Sequence, residues 1–488
     1  MSNGSVQGRL FFVYAGQAAV TAILPLVTIL VLTRYLTPED FGIYALAQVY
    51  AIFMVGLCNF GLPMVINRNY FEYSDDPLKL SQLLYGVILF SLSLFVISLS
   101  ITMMFEDTFL SFLGISGPPN LLVIAFCGQY LNVLSLYYMA YYINSEEAKK
   151  YAGCMIFFGI ANTVAVLFLV VIMDVGVIGL AIAHCVGWGM LFVLLSFLFF
   201  RRLPYSFDWN ILKHTLVLGL PLAPKEVVKV MSGQFDKYML GLLGSTGGVG
   251  LYSIAQRIGS INNTFLTVLQ NVYAPRLFKM MFDNENGVSE KIGTYLTPFV
   301  YLSICPPLLM ILFSDYVVRL LLPAEYASVS ELLIVFSLYY GFLFIGTVTT
   351  RQFLFKKNVG IIMALVVFTL IVNVSLSIPM IKIWGAIGAA WALFFGGVIV
   401  TAASFFAAQR YYRISWELGK MLFAYGVLSF SGVLEFGLLE LEVAVAIKLF
   451  IELSFVAFFV FIVFWRGIIS RSQITSMLSL VLKKRHAG

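Results

Sequence analysis

Charged residues set inside apolar runs are where this chain could do chemistry. Lys225, Lys229, Ser232 and Asp236 follow one another at i, i+4, i+7 and i+11, a spacing that places all four on one helix face. Lys225 lies about twelve residues past the expected start of its helix, or about 18 Å at 1.5 Å per residue, near the middle of a bilayer. A charge at that depth costs about 2.5–3.5 kcal/mol on insertion scales, so it needs water or a partner. Pro221 and Pro224 precede it, and proline inside a helix removes a backbone bond and favours a kink. The next run carries its own polar face, Gln256, Ser260, Asn263, Thr267 and Gln270, flanked by Arg257, Thr264 and Asn271. A milder stripe, Tyr14, Gln17, Thr21, Pro25 and Thr28, marks the first run. Faces of this kind line water or another polar helix rather than lipid.

Two readings of these charges stand side by side. In one, Lys225, Lys229 and Arg257 make a water-filled cavity cationic and suited to an anionic substrate, with Gln256, Ser260 and Asn263 lining it. In the other, Glu226 and Asp236 neutralise the lysines while Arg257 snorkels to the interface. Two of the three cations lie too deep to snorkel, and the neighbouring acids are too few to pair all of them, which favours the cavity. Glu226 and Asp236 are then the acids placed to couple an ion. Lys448 and Glu452, at i, i+4 in a late apolar run, read instead as a structural pair.

The elements that must position these residues are membrane helices. Of 488 residues, 61% are hydrophobic and 11% charged, against about 25% charged in soluble domains. About fourteen runs are long enough to span a bilayer, which takes about 20 apolar residues. They centre on residues 10–33, 43–66, 80–104, 120–143, 152–173, 175–200, 212–234, 248–274, 292–313, 329–353, 358–380, 385–408, 419–437 and 443–465. The aromatics, 16% of the chain, read as interfacial belts and lipid-facing rings. The first run is too long for a cleavable leader and lacks a small-residue cleavage site, so it reads as a retained span.

The chain is also doubled. Gly42-Ile43-Tyr44-Ala45-Leu46-Ala47-Gln48 matches Gly250-Leu251-Tyr252-Ser253-Ile254-Ala255-Gln256, an offset of 208 (250 − 42). Gly176-Val177-Ile178-Gly179-Leu180-Ala181 matches Gly385-Ala386-Ile387-Gly388-Ala389-Ala390 at 209, and Lys149-Lys150 with Gly153 matches Lys356-Lys357 with Gly360 at 207. An offset near 208 holds about six helices, so both copies enter the membrane the same way and the repeat is parallel. The expected architecture is all-α: a six-helix lobe over residues 1–205, a second over 206–412, and two further helices with a basic tail over 413–488. The cavity is expected between the lobes. Lysine and arginine collect in alternate connections, as in Lys149-Lys150, Arg201-Arg202, Lys356-Lys357 and the tail, which predicts both termini in the cytoplasm.

Other chemistry is missing. No G-x-x-x-x-G-K-[ST] loop encodes a nucleotide motor. The five cysteines and three histidines are scattered, without metal-ligand spacing or a disulfide framework, and His184 reads as a hydrogen-bonded core residue. No metal or cofactor is called for. The formal charge of +6 sits in membrane-flanking loops and does not point to nucleic acid. No catalytic residues are recognisable, so the chain does not read as an enzyme.

Leu36-Thr37-Pro38-Glu39-Asp40-Phe41-Gly42-Ile43-Tyr44 resembles the first outer turn of bacterial polysaccharide exporters. So do Gly219-Leu220-Pro221-Leu222-Ala223-Pro224, Asp236-Lys237-Tyr238-Met239-Leu240-Gly241, Val249-Gly250-Leu251-Tyr252-Ser253-Ile254-Ala255-Gln256-Arg257-Ile258 and Pro323-Ala324-Glu325-Tyr326 at later positions of that family. These proteins are flippases for lipid-linked O-antigen and capsule repeat units, in the superfamily that includes MATE drug exporters. The resemblance covers essentially the whole chain. It implies a two-lobed fold with alternating access. It implies an undecaprenyl-diphosphate-linked oligosaccharide moved from the cytoplasmic to the periplasmic leaflet of the inner membrane. Lys225, Lys229 and Arg257 would attract the diphosphate, and the partners would be membrane lipids, a polysaccharide polymerase and other export machinery. The rival readings are a MATE-like drug or cation antiporter, which favours cavity acids, a membrane glycan polymerase, which needs a long outer catalytic loop, and a lipid scramblase without directional transport.

Overall fold

The computed structural model describes residues 23–465, with Gly16 and Val20, apart from residues 60, 74–75, 146, 204, 221–222, 283–286 and 442 and the side chains of residues 64, 223–226, 229, 359 and 464–465. Every described element is a helix. Ten helices are long and apolar enough to cross a membrane, and the difference from fourteen expected runs has physical causes. Most of the first run lies outside the described residues, leaving Ile23–Leu32 (α1). The seventh run falls partly outside the described residues, and the eighth lies in a helix rich in polar side chains that is not among the ten. The eleventh and twelfth merge into one element, Val359–Tyr411 (α15), bent at Gly385.

The described chain packs as two compact units that meet in sequence between Ser253 and Ile254. The first unit contains Pro38–Asn59 (α2), Leu62–Tyr73 (α3), Pro77–Met104 (α4), Glu106–Leu113 (α5), Leu121–Asn144 (α6), Ala148–Val166 (α7), Val177–Arg202 (α8), Trp209–Gly219 (α9) and Ala223–Leu243 (α10). Helix α6 is its centre and packs against α2, α3, α4 and α8, burying Phe126, Tyr130 and Tyr137 almost completely. Polar caps start these helices where the sequence leaves the apolar pattern. Asp76 accepts from Leu78 N at 3.1 Å and Lys79 N at 3.2 Å, with Pro77 at the first helical position, which needs no N–H there. Glu106 reaches across to cap α6, accepting from Asn120 N at 3.1 Å and Leu122 N at 3.0 Å.

Helix Thr246–Phe282 (α11) begins in the first unit and continues into the second. The second unit adds Val288–Leu312 (α12), Ser314–Leu321 (α13), Val329–Phe355 (α14), α15, Leu418–Glu440 (α16) and Val445–Trp465 (α17). Its centre is α14, packed by α12, α13, α15 and α16 and burying Phe336, Phe344 and Phe353 completely.

The doubling extends to element starts. Helices α2, α5 and α6 begin at residues 38, 106 and 121, and α11, α13 and α14 begin at 246, 314 and 329, each 208 later. The paired glycines of the second repeat match both sit at bends with positive φ, Gly176 before α8 at 67° and Gly385 within α15 at 59°, a region that costs glycine little. The sequence repeat divides near residue 205, whereas the packing divides at 253. Helices α9 and α10 account for the difference, because they pack on α2, α3, α4 and α5 of the first unit.

Candidate functional site

The repeated phrase builds one of the tightest contacts in the first unit. Thr37 and Ser245 stand at equivalent positions and each caps its helix. Thr37 Oγ1 accepts from Asp40 N at 3.3 Å while Asp40 accepts from Thr37 N at 2.9 Å, and Ser245 Oγ accepts from Gly248 N at 3.0 Å. These hydroxyls satisfy donors that a helix start otherwise leaves open. The helix starts then cross. A Cβ on Gly42 would overlap the carbonyl oxygen of Thr246, and a Cβ on Gly250 would overlap that of Pro38. Thr246 follows Pro38 by 208 residues, as Gly250 follows Gly42. Each copy therefore presents its glycine to the first helical residue of the other.

This crossing leads directly into the charged stripe of α10. The stripe's helix is broken near the prolines, with α9 ending at Gly219 and α10 starting at Ala223. Lys225, Glu226 and Lys229 lie in α10, and their side chains fall outside the described residues. Val230, one residue further, packs its methyl groups against Gly56 of α2. The Ser232 hydroxyl is enclosed and has no hydrogen-bond partner among the described residues. Asp236 is engaged: one oxygen accepts from Lys237 N at 2.9 Å, and the other accepts from the hydroxyl of Tyr252. Tyr252 is fully buried and belongs to the second copy of the repeated phrase, so Asp236 ties α10 to the start of α11.

Along α11 the polar residues divide by face. The outward stripe has Gln256 half-buried, Arg257 and Asn263 exposed and Ser260 half-buried. Ser260 Oγ donates to the Arg257 carbonyl at 2.6 Å, and Thr267 Oγ1 to that of Asn263 at 2.9 Å. These hydroxyls are satisfied by their own helix. Gln256, Arg257 and Asn263 make no side-chain hydrogen bond or ion pair with a described residue. Gln256 is half-buried, and Arg257 and Asn263 are exposed. The opposite face is structural. Buried Asn262 donates to Ser337 of α14 at 3.4 Å, and Tyr273 and Thr347 hydroxyls meet at 2.6 Å. Gln270, counted in the stripe from its spacing, accepts from Arg351 of α14 at 3.2 Å.

Spacing did not disclose several partners. Tyr252 comes close to Asp236 only through the α10–α11 turn, and Gln270–Arg351 only through tertiary packing. Lys448 is not simply paired with Glu452, whose nearest oxygen lies at 4.0 Å; Glu435 lies at 2.8 Å and Asp315 at 3.1 Å. His184 is hydrogen-bonded as the sequence indicates, with Nε2 3.4 Å from Gln129 Oε1, but it is half-buried rather than a core residue. At the ends of α7 and α8, Glu147 binds Arg202 at 2.7 Å and Lys150 at 2.6 Å. Arg202 holds the Glu147 carboxyl below the usual glutamate range, with burial opposing the shift.

Residues 8–281, more than half of the chain and including all of the charged and polar stripes, match the family described as polysaccharide biosynthesis protein. The chain belongs to that family. A curated relative, the capsular polysaccharide biosynthesis protein CapF of Staphylococcus aureus, is 22% identical over 413 residues, 80% of this chain and 95% of its own length. Among solved structures, lipid II flippase MurJ in an inward closed conformation superposes with a TM-score of 0.69 at 17% identity, covering 93% of this chain and 99% of MurJ. The MATE transporter VcmN of Vibrio cholerae superposes at 0.58 and 13% identity, covering 84% of this chain and 98% of its own. This polysaccharide biosynthesis protein therefore has the flippase and MATE fold and is a multi-pass integral membrane protein. The two structural neighbours are themselves a flippase and a transporter.

Proposed function

We propose that this chain is a flippase that moves undecaprenyl-diphosphate-linked oligosaccharide, an O-antigen or capsule repeat unit, from the cytoplasmic to the periplasmic leaflet of a bacterial inner membrane. The observation that carries the proposal is that residues 8–281 match a polysaccharide biosynthesis family and also contain Lys225 and Lys229, one turn apart on α10, with Arg257 exposed on α11. A diphosphate and a hydroxyl-rich glycan do not cross hydrocarbon unaided. Lys225, Lys229 and Arg257 replace water around the diphosphate, and Gln256, Ser260 and Asn263 meet the sugar hydroxyls. Lysine suits this task because a hydrated point charge attracts phosphate without locking it in a fork. The polyprenyl tail stays in lipid. No bond is made or broken, so the role is transport rather than catalysis, with alternating access between the leaflets. Both termini face the cytoplasm, as the lysine and arginine distribution indicates. Glu226 and Asp236 are the acids beside this route, and a polysaccharide polymerase takes up the delivered unit.

A MATE-like antiporter of drugs or cations is the second reading, favoured by the superposition on VcmN. A cation carrier needs acids on its route, and the α10 and α11 stripes carry three cations beside two acids, one of which is bound to Tyr252. The deciding experiment is the glycan phenotype of a strain lacking the protein. The proposal predicts unmodified lipid-linked repeat units accumulating on the cytoplasmic face. Normal export with altered drug or cation tolerance would favour the antiporter, and units delivered outside but left unpolymerised would favour a polymerase.

A further inference from the structure

Three carboxylates crowd around one buried lysine where α13, α16 and α17 meet. Lys448 of α17 is 5% exposed, and Glu435 of α16 and Glu452 of α17 are both 0% exposed. The Lys448 ammonium donates to Asp315 of α13 at 3.1 Å and lies 2.8 Å from Glu435 and 4.0 Å from Glu452. Asp315 is held on its other oxygen by Arg319 Nε at 2.7 Å, and that arginine is 72% exposed. Tyr316 of α13 completes the group, its ring centroid 5.5 Å from the ammonium.

The charges do not balance. Lys448 and Arg319 face Asp315, Glu435 and Glu452, and Arg319 lies largely in the surrounding medium. Fully ionised, the cluster carries one excess negative charge on carboxylates with no exposed surface, which is among the costliest arrangements a protein can hold. The hydrogen bonds do not balance either. The Lys448 ammonium stands 2.8 Å from one Glu435 oxygen and the Tyr316 hydroxyl is within reach of Glu452, but neither approach is a well-aligned hydrogen bond, and no other neutral or cationic donor among the described residues serves the four glutamate oxygens. The two glutamates are within reach of one another, but neither can donate while ionised.

One added proton corrects both imbalances. It removes the excess charge, and the O–H it forms on one glutamate donates to a carboxylate oxygen of the other. We infer that Glu435 and Glu452 share a single bound proton beside Lys448, so that α16 and α17, the helices beyond the repeat, carry a proton-binding site. Asp315, 13% exposed, and Arg319 lead from this interior to the surface, giving the proton a graded route in and out. The site uses neither Glu226 nor Asp236 and does not depend on which solute the chain carries.

The test is infrared absorption of the full-length protein in lipid nanodiscs at neutral pH, read at the carbonyl stretch of a protonated carboxylic acid and followed on exchange into deuterated water. The wild-type protein should show one exchangeable acid band. Glu435→Gln and Glu452→Gln should each abolish it, because the remaining glutamate then ionises against Lys448. Lys448→Met should enlarge it about twofold, because removing the cation leaves both glutamates neutral. Glutamine mimics the protonated acid, so the two glutamine variants should keep the wild-type melting temperature, and either one alone decides the matter if the other fails to fold. Absence of the band in the wild-type protein, or its survival in the folded glutamine variants, overturns the inference. Because the readout involves no transported solute, either result leaves the flippase proposal to its own test.

Discussion

Helices α2 and α11 are the same element written twice, and they have been put to different uses. Both start from a capping hydroxyl, Thr37 or Ser245, and both carry a glycine pressed against the other's first turn. Past that crossing they diverge. Val49 and Val55 of α2 are 7% and 3% exposed, whereas Arg257 and Asn263, 208 residues later, are exposed. The helices just before them diverge in the same way. Gln17, Thr21 and Thr28 are neutral, and Lys225, Lys229 and Asp236 occupy the equivalent places. Thr28 is buried and donates to its own helix at Leu24 O, 2.8 Å away, while Asp236 binds Tyr252. The two copies thus share the residues that fix the helix starts and differ at the stripe positions, where only the second carries charge.

The comparison breaks first at the stripe. Lys225→Ala with Lys229→Ala should abolish glycan export while the protein still inserts in the membrane, and Gln17→Ala with Thr21→Ala should leave export near wild type. Equal losses from the two pairs, measured as surface glycan at matched protein levels, would dissolve the asymmetry. The crossing should respond in the opposite sense, with symmetric effects. Gly42→Val and Gly250→Val each force a side chain into a backbone carbonyl, and overpacking of this kind costs about 1–3 kcal/mol or more. Both should lower thermal stability in detergent to a similar extent. A tolerant glycine at either position would mean that the reciprocal contact is not needed.

A smaller effect is expected at the link between stripe and crossing. Tyr252→Phe leaves one Asp236 oxygen without its donor, at a cost of about 1–3 kcal/mol. The equivalent Tyr44→Phe should cost less, because Tyr44 is half-buried and the preceding helix, α1, has Thr28 in place of the acid. The smallest effect lies at Glu147, whose pairs with Arg202 and Lys150 are partly exposed and worth about 0–1 kcal/mol. Since Arg202 lowers the Glu147 pKa in the folded chain, its contribution is present above the usual glutamate range and fades as pH falls through the lowered value. Glu147→Gln should remove that part of the acid-side slope in a melting series and leave neutral-pH export intact.

Much of the fold was legible because helix signals are local. Apolar runs and polar stripes at helical spacing each act within a few residues. The doubled phrase gave the repeat, and its offset of 208 recurs in the starts of α5 and α13 and of α6 and α14. The stripes on α10 and α11 were legible for the same reason, since a helix face is a matter of period. Partners from distant elements were not. Nothing in the spacing of Lys448 and Glu452 announces Asp315, 133 residues away, or Glu435 on the preceding helix. The packing boundary at 253 was equally hidden, because it depends on α9 and α10 resting against α2 to α5.

The central claim is that the second-copy stripe is wetted while the rest of its helix is not. It is tested most directly by reaction of a membrane-impermeant thiol reagent with single cysteines placed along α10, after the five native free cysteines are replaced. Lys225→Cys and Lys229→Cys should label rapidly, and Val227→Cys and Val228→Cys should not, so that reactivity follows the lysine face of the helix. Labelling that ignores this period, or unreactive cysteines at 225 and 229, would contradict the claim.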